Sequence, residues 1–247
     1  MNFTDTTATD DKDYYVRFGA VKGGTEKISD EIEVGATKDQ FWNSVTALLH
    51  FDEAFIDEKG NSVSNTGATI STSNPKIGSG CGYFSGSNYG LDLPTSIFNP
   101  NLQDFTVEFW CKPTTYSRPY DMSVVGYGAS SGQGLSLYLG RTNGSPSWWD
   151  GASYFGSGIA LTISTWNHVV FYRKGNEIGC FVNGVKHVFS TTYSKQLIAT
   201  SNIKISRSYD SSPDNYFVGY LDELRITVGV CRYTENFVPV TKPFPSN

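Results

Sequence analysis

Residues 166–189 read WNHVVFYRKGNEIGCFVNGVKHVF, and two breaks divide the stretch into three short runs. Alternation puts Asn167, Val169, Phe171 and Arg173 on one side of an extended chain, with Trp166, His168, Val170 and Tyr172 on the other. Neither side is cleanly polar, which marks a central strand covered on both faces. Lys174-Gly175-Asn176 turns the chain, after which Ile178, Cys180 and Val182 alternate with Gly179 and Phe181. Asn183-Gly184 is the strongest short hairpin signal available, because a type I′ turn needs positive φ at both central residues. Val185 to Phe189 then returns antiparallel. The stretch predicts a three-strand meander.

The same texture extends in both directions. DQFWNSVTALLHF (39–51) ends in a short apolar run, and Asp57-Glu58-Lys59-Gly60 turns the chain. GYFSG (82–86), DFTVEFWCKP (104–113), MSVVGYG (122–128), GLSLYLG (134–140), SNIKIS (201–206) and YFVGYLDELRIT (216–227) follow. Each is bracketed by Gly, Pro, Ser or Asn, and no amphipathic helix of ordinary length is readable. The fold class expected is all-β, a two-sheet antiparallel jelly-roll sandwich. Aromatic residues at 15% against charged residues at 17%, with 25 glycines in 247 residues, suit such a sheet.

Residues 1–13 hold several Asp and Thr and little to bury, so they are expected to order only on a partner. YYVRFGAV (14–21) reads as a short strand, and a boundary is placed at Asp39. This gives an N-terminal anchoring arm over 1–39 and a sandwich over 40–247. The net charge of −5 and the lack of Lys/Arg clusters exclude nucleic acid as a partner. No apolar run is long enough for a membrane span, and the N-terminus has no signal-peptide pattern. Folding in a cytoplasm is therefore expected, with Cys81, Cys111, Cys180 and Cys231 as free thiols. Cys111 and Cys180 read as small core residues.

WNHVVFYRKGNEIGCFVNGV resembles the W-x-H-V…V-N-G-V signature of laminin G-like, concanavalin A-like jelly-roll domains. GYFSGSNYGLDLP and DFTVEFWCKPT resemble that family's next two strands. FWNSVTALLHFDEAFIDEKGNSV and LDELRITVGVCRYTENFVPVTKPFP are similar to versions carried by tailed-phage virion proteins. The likeness runs from Gln40 to Pro245. It implies a multi-copy virion protein, tail or capsid decoration, assembled in the host cytoplasm. The arm would bind other virion proteins, and the lectin-like domain would contact host-surface carbohydrate. The alternative it leaves is a purely structural decoration or tail-assembly protein.

Enzyme function is not expected. Jelly-roll glycosidases need two carboxyl groups across one bond, whereas FTVEFWCKP offers only Glu108, and the adjacent Asp222 and Glu223 point to opposite sides. His50, His168 and His187 form no HExxH, no GxSxG is present, and His168 reads as a packed, hydrogen-bonded sheet histidine.

Two binding sites are candidates. For carbohydrate, the Gly/Ser-rich loop 141–158 offers Trp148, Trp149, Tyr154 and Phe155, while Tyr116, Arg118 and Tyr120 come from the loop 114–122. Exposed rings stack on sugars, and two adjacent Trp in an extended chain cannot both face inward. The alternative is that these rings cover the sandwich edge or make a subunit contact. For metal, the family resemblance implies a structural Ca²⁺ held by Asp52, Gly86 and Asp222. Strict alternation puts Asp222 on the apolar side with Val218, Tyr220, Leu224 and Ile226. A one-residue bulge would instead align Leu221 with Leu224 and turn Asp222 outward; the alternative to calcium is an Asp hydrogen-bonded to backbone N–H groups.

Overall fold

The computed structural model describes residues 14–16, 19–22, 25–28, 32–34, 38–86, 89–116, 122–128, 134–140, 144–207 and 215–246. The chain divides into two units, one of residues 1–43 and 244–247, the other of residues 44–243. In the smaller unit β1 (Tyr14–Val16) pairs antiparallel with β4 (Ile32–Val34), and β2 (Gly19–Lys22) with β3 (Thr25–Ile28). The acidic stretch 1–13 lies outside the described residues.

The larger unit is the sandwich. Its strands, in chain order, begin with β5 (Val45–Leu49), β6 (Ser64–Asn65), β7 (Thr69–Ser71), β8 (Cys81–Ser85) and β9 (Leu91–Leu93). Then come β10 (Phe105–Pro113), β11 (Met122–Tyr127), β12 (Leu135–Leu139), β13 (Pro146–Trp149) and β14 (Tyr154–Gly156). The last are β15 (Asn167–Lys174), β16 (Glu177–Val182), β17 (Val185–Ser190), β18 (Ile203–Ile205) and β19 (Val218–Val228). An eight-stranded sheet runs β17-β16-β15-β10-β19-β8-β7, with β5 also paired to β19; a seven-stranded sheet runs β14-β13-β12-β11-β18-β9-β6. All strand pairings are antiparallel. The all-β, two-sheet architecture read from the sequence is the one observed.

The 166–189 meander is β15-β16-β17, sharing one sheet with β10 and β19. Asn183 and Gly184 take φ of 49° and 81°, the positive pair a type I′ turn requires. One side of each long strand fills the core: Phe105, Val107, Phe109 and Cys111 from β10, Val169 and Phe171 from β15, and Leu137 and Trp148 from the facing sheet are all fully buried. Burial of this contiguous apolar set supplies the main driving force for the fold. All four cysteines are free, Cys81, Cys111 and Cys180 being buried. Among the described residues no helix is long and apolar enough to cross a membrane.

Two local readings resolve. In β19 the register against β10 slips between Glu108 and Trp110, and Glu223 sits at φ 51°. This bulge brings Leu221, Leu224 and Ile226 onto the core side and turns Asp222 to the outer side. Strict alternation of the 218–226 run is therefore corrected. The stretch 141–158, expected as a loop, instead contains the hairpin β13-β14, closed at Asp150-Gly151. Asp150 Oδ1 accepts from the amides of Ala152 (2.9 Å) and Ser153 (2.7 Å), a side-chain substitute for a backbone turn.

Candidate functional site

The β13-β14 hairpin decides where the expected sugar-binding rings go. Trp148 faces the core with none of its surface exposed, wedged between Phe105 (centroids 5.4 Å apart) and Tyr193 (5.7 Å). Its ring is unavailable for stacking, so the expectation that placed it at a surface is corrected. Trp149, one residue on, points outward and is half-buried, directly opposite Tyr154, which is 51% exposed. Phe155 pairs with Trp148 and turns inward against Tyr193 (5.7 Å). Tyr116 is half-buried, and its ring leaves no room for a Cβ at Gly144. Arg118 and Tyr120 lie outside the described residues.

Around Trp149 the outer side of the seven-stranded sheet has a distinctive floor. Register carries the Trp149 row on through Ser136, Gly126 and Lys204 to Asp92, and the neighbouring row through Ser147, Tyr138 and Ser123. The hydroxyls of Ser123, Ser136 and Ser147 are buried without a hydrogen-bond partner. Gly126 lets the strands and serines pack closely in the middle: a Cβ there would sit 3.1 Å from Ser136 Oγ and 3.3 Å from Ser123 Oγ. The Tyr154 hydroxyl leans over Gly140, beside Ser147. Buried polar groups in native sheets normally find partners. A cluster of orphan hydroxyls next to outward aromatic rings is therefore the molecule's most unusual polar feature.

The proposed metal residues are arranged differently. Asp52 Oδ1 accepts from the amides of Ser79 (2.5 Å) and Gly80 (3.2 Å), while Asp222 Oδ2 accepts from those of Lys76 (2.8 Å) and Ile77 (3.1 Å). The two carboxylates thus clamp one loop, residues 76–80, from two sides. Gly86 closes a separate turn, its carbonyl accepting from Tyr89 N (3.4 Å). Calcium needs converging oxygen acceptors, but one oxygen of each carboxylate is taken by loop amides, and among the described residues no group of three or more acidic, His or Cys side chains is placed to hold a metal. The three residues, as arranged here, do not fit the ion. Beside them, Glu223 bonds His50 Nδ1 at 2.6 Å; burial alone would lower the His50 pKa, but the bond and charge of Glu223 raise it.

Asp222 is fully buried and its Oδ1 has no partner. Burial pushes its pKa up from 3.8 to about 7; the Ile77 and Lys76 amides only partly oppose this, and the charges of Glu223 and Asp52 add to it. A raised folded-state value means the contribution to stability is complete below the unfolded value and is lost as pH rises toward 7. Asp222→Asn mimics the protonated acid and keeps an acceptor for the loop. Relative to the parent, it is expected to gain stability between pH about 4 and 7, by about 4 kcal/mol at most. Urea titrations of both proteins across that range check it, and parallel curves would refute it.

The eight-stranded sheet hides a charged cluster that the sequence analysis missed. Glu108 is completely buried; its Oε1 meets Arg225 Nε (2.9 Å) and Nη2 (2.8 Å), and its Oε2 accepts from the Tyr233 hydroxyl (2.8 Å). Burial would raise its pKa, but Arg225, Arg232 and His168, with the Tyr233 bond, bring it below the usual range. His168 is packed as expected, against Trp110 (5.0 Å) and Phe237 (5.8 Å). Contrary to expectation, neither of its ring nitrogens has a hydrogen-bond partner. Burial lowers its pKa to about 4, so it stays neutral near pH 7, with Nε2 3.7 Å from Glu108 Oε2. The readable signal was an acid inside a nine-residue apolar strand, which requires a buried cation elsewhere in the chain.

Comparison with known proteins agrees with this fold. The profile of the concanavalin A-like lectin/glucanases superfamily matches residues 85–230, more than half of the chain. Among curated proteins none matches. Domain 4 of an extracellular arabinanase from Geobacillus stearothermophilus, solved in complex with arabinotriose, superposes with TM-score 0.62 at 22% identity, covering 75% of this chain and 93% of that one. The binding domain of Paraclostridial Mosquitocidal Protein 1 gives TM-score 0.63 at 15% identity over 78% of this chain and 51% of that one. A Trypanosoma rangeli sialidase bound to 2,3-difluorosialic acid gives 0.58 at 13% identity. There the match takes in 78% of this chain but only 31% of the sialidase. These likenesses carry the fold alone.

Proposed function

Because the chain belongs to the concanavalin A-like lectin/glucanases superfamily, we propose that it is a carbohydrate-binding protein whose sugar site is the outer side of the seven-stranded sheet. The observation carrying this reading is the outward pair Trp149 and Tyr154 beside the orphan hydroxyls of Ser123, Ser136 and Ser147. A pyranose or furanose ring stacks its C–H face on the aromatic pair, while the fully buried serines beneath make the floor of that face polar rather than apolar. Arrangement of the sheet, not a flexible loop, positions both rings, so little ordering entropy opposes binding.

The protein acts without catalysis in this proposal. Support comes from Glu108, which is engaged by Arg225 and Tyr233, and from Asp52, Asp222 and Glu223, each held by a loop amide or by His50. The biological setting proposed is the virion of a tailed phage, where the N-terminal segment attaches to neighbouring virion proteins and many copies contact host-surface glycan. Its support is the resemblance of residues 41–63 and 221–245 to phage virion sequences. Many weak sites on one particle gain avidity without new contacts.

Trp149→Ala and Tyr154→Ala are each expected to weaken glycan binding about tenfold or more while shifting stability by less than about 1 kcal/mol. A glycan array followed by titration calorimetry on the best hit checks it. Unchanged affinity in both variants would move the sugar site elsewhere. No hit in any array would favour a purely structural decoration protein, and release of reducing ends from a polysaccharide would overturn the non-catalytic reading.

A further inference from the structure

A second aromatic row crosses the opposite sheet. On the outer side of the eight-stranded sheet, Tyr83 of β8 pairs with Tyr220 of β19, and Tyr220 with Lys112 of β10. Trp110 and Cys111 pair with His168 and Asn167, so the register brings Trp166 next to Lys112. All four side chains of this Tyr-Tyr-Lys-Trp row are partly exposed. The rings of Tyr83 and Tyr220 lie 5.0 Å apart and tilted by 39°; those of Trp166 and Tyr220 lie 6.5 Å apart at 58°. The tilts make a shallow dish rather than a parallel slot. A puckered ring fits a dish, whereas a flat base needs a slot.

The row is also fixed and cationic. Trp166 Nε1 donates to the Asn74 carbonyl (3.2 Å), and Lys112 Nζ donates to Asn74 Oδ1 (3.4 Å) while lying 5.7 Å from the centre of the Tyr220 ring. Lys76 places its ammonium 4.2 Å over Trp110, whose own Nε1 is buried without a partner. No carboxylate pairs with Lys76 or Lys112 among the described residues. Asp222, opposite Trp110 in the register, is buried and turned to the amides of Lys76 and Ile77. In a chain of net charge −5, two cations held over aromatic rings without acidic partners form a local reversal of charge. Preorganised cations of this kind select an anion.

We propose that this row binds a carboxylate-bearing saccharide, a uronic-acid unit being the simplest form. Tyr83, Tyr220 and Trp166 take the C–H face of the sugar, and Lys112, with Lys76 behind it, takes the carboxylate. The site lies on the other sheet from Trp149 and stands without it. The scarcity of basic clusters elsewhere in the chain argues for one charged sugar unit rather than a polyanionic nucleic acid.

The test uses the full chain and two probes, tetragalacturonate and its fully methyl-esterified form, which keeps the rings and removes the charge. The acid is expected to bind more tightly than the ester and to move the Trp166 indole N–H resonance. Raising salt to about 1 M, where screening acts within about 3 Å, should remove the difference. Lys112→Met, which keeps the aliphatic stem, should weaken the acid about fivefold and leave the ester unchanged; Tyr220→Ala should weaken both. Trp149→Ala should leave all of this intact, so failure of the first site and failure of this one read out separately. Equal affinity for acid and ester, an unmoved Trp166 resonance in the unsubstituted protein, or indifference to Lys112→Met would each overturn the proposal.

Discussion

Glu108→Gln is expected to cost the protein about 3–5 kcal/mol, despite changing one oxygen to one nitrogen. Glu108 has no exposed surface, and the Arg225 and Arg232 side chains around it are 6% and 4% exposed. Desolvating a guanidinium is tolerated only while an anion repays it. With Gln in place, Arg225 faces a neutral amide and Tyr233 loses a charged acceptor. The lid over this cluster comes from the segment that follows β19 and makes no strand of its own: Tyr233 stacks on Phe237 at 3.8 Å, and Phe237 meets Phe181 at 5.4 Å. Loosening Glu108 should therefore loosen residues 229–240 first, seen as faster amide exchange there. Equilibrium urea unfolding measures the cost. The double variant Glu108→Gln/Arg225→Met should recover a large part of it, since no buried guanidinium is then left facing a neutral amide. A single-variant loss under about 1 kcal/mol would mean the cluster is hydrated.

Acid should find the same weakness. Glu108 has a folded-state pKa below its ordinary value, so its contribution is present above that value and lost as pH falls through the lower one. His168, lowered to about 4 from 6.5, adds a loss as pH falls across that interval, because the unfolded chain accepts the proton and the folded one does not. Asp222 works in the opposite direction over much of the same range. The pH profile of the unsubstituted protein is therefore a difference of opposing contributions, and substituting Asp222 alone should expose the acid-sensitive part.

Local chemistry was what the sequence displayed most clearly. Asn183-Gly184 specified its turn because only residues tolerant of positive φ fit there, and the β15 run read as a strand covered on both faces because its outer side is covered too. Asp222-Glu223 offered two registers, and choosing between them required knowing that Phe109 of β10 stands opposite both Glu223 and Leu224, a fact about pairing between residues over a hundred apart. The Trp148-Trp149 pair looked like loop chemistry because Gly and Ser surround it; the Asp150-Gly151 step beside it was a hairpin signal of the same kind as Asn183-Gly184 and went unused. Glu108 among apolar neighbours called for a buried cation somewhere in the chain, but nothing local to Arg225 marked it as the partner. The Tyr83-Tyr220-Lys112-Trp166 row is likewise invisible along the chain, because it exists only in the order in which four strands lie side by side.

Trp148→Ala is expected to destabilise by about 3–5 kcal/mol, whereas Trp149→Ala should stay within about 1 kcal/mol. The two residues have the same side chain and adjacent positions, so propensity, composition and unfolded-state effects nearly cancel between them. What differs is the side of the sheet. Trp148 packs on Phe105 and Tyr193 with no surface exposed, and removing it opens a void between sheets that packed β10 and β15 strands cannot close. Its Nε1 is buried without a partner, a standing cost of about 1–3 kcal/mol. Trp148→Phe should consequently lose less than its change in volume suggests, since it sheds that orphan donor. Glycan binding separates the pair a second time: Trp148→Ala should reduce binding only in proportion to the fraction unfolded, recovering at low temperature or in stabilising osmolyte, while the loss in Trp149→Ala should persist in fully folded protein. Equal destabilisation by both alanines would place both rings inside the sandwich, and the aromatic pair that carries the proposed sugar site would no longer exist.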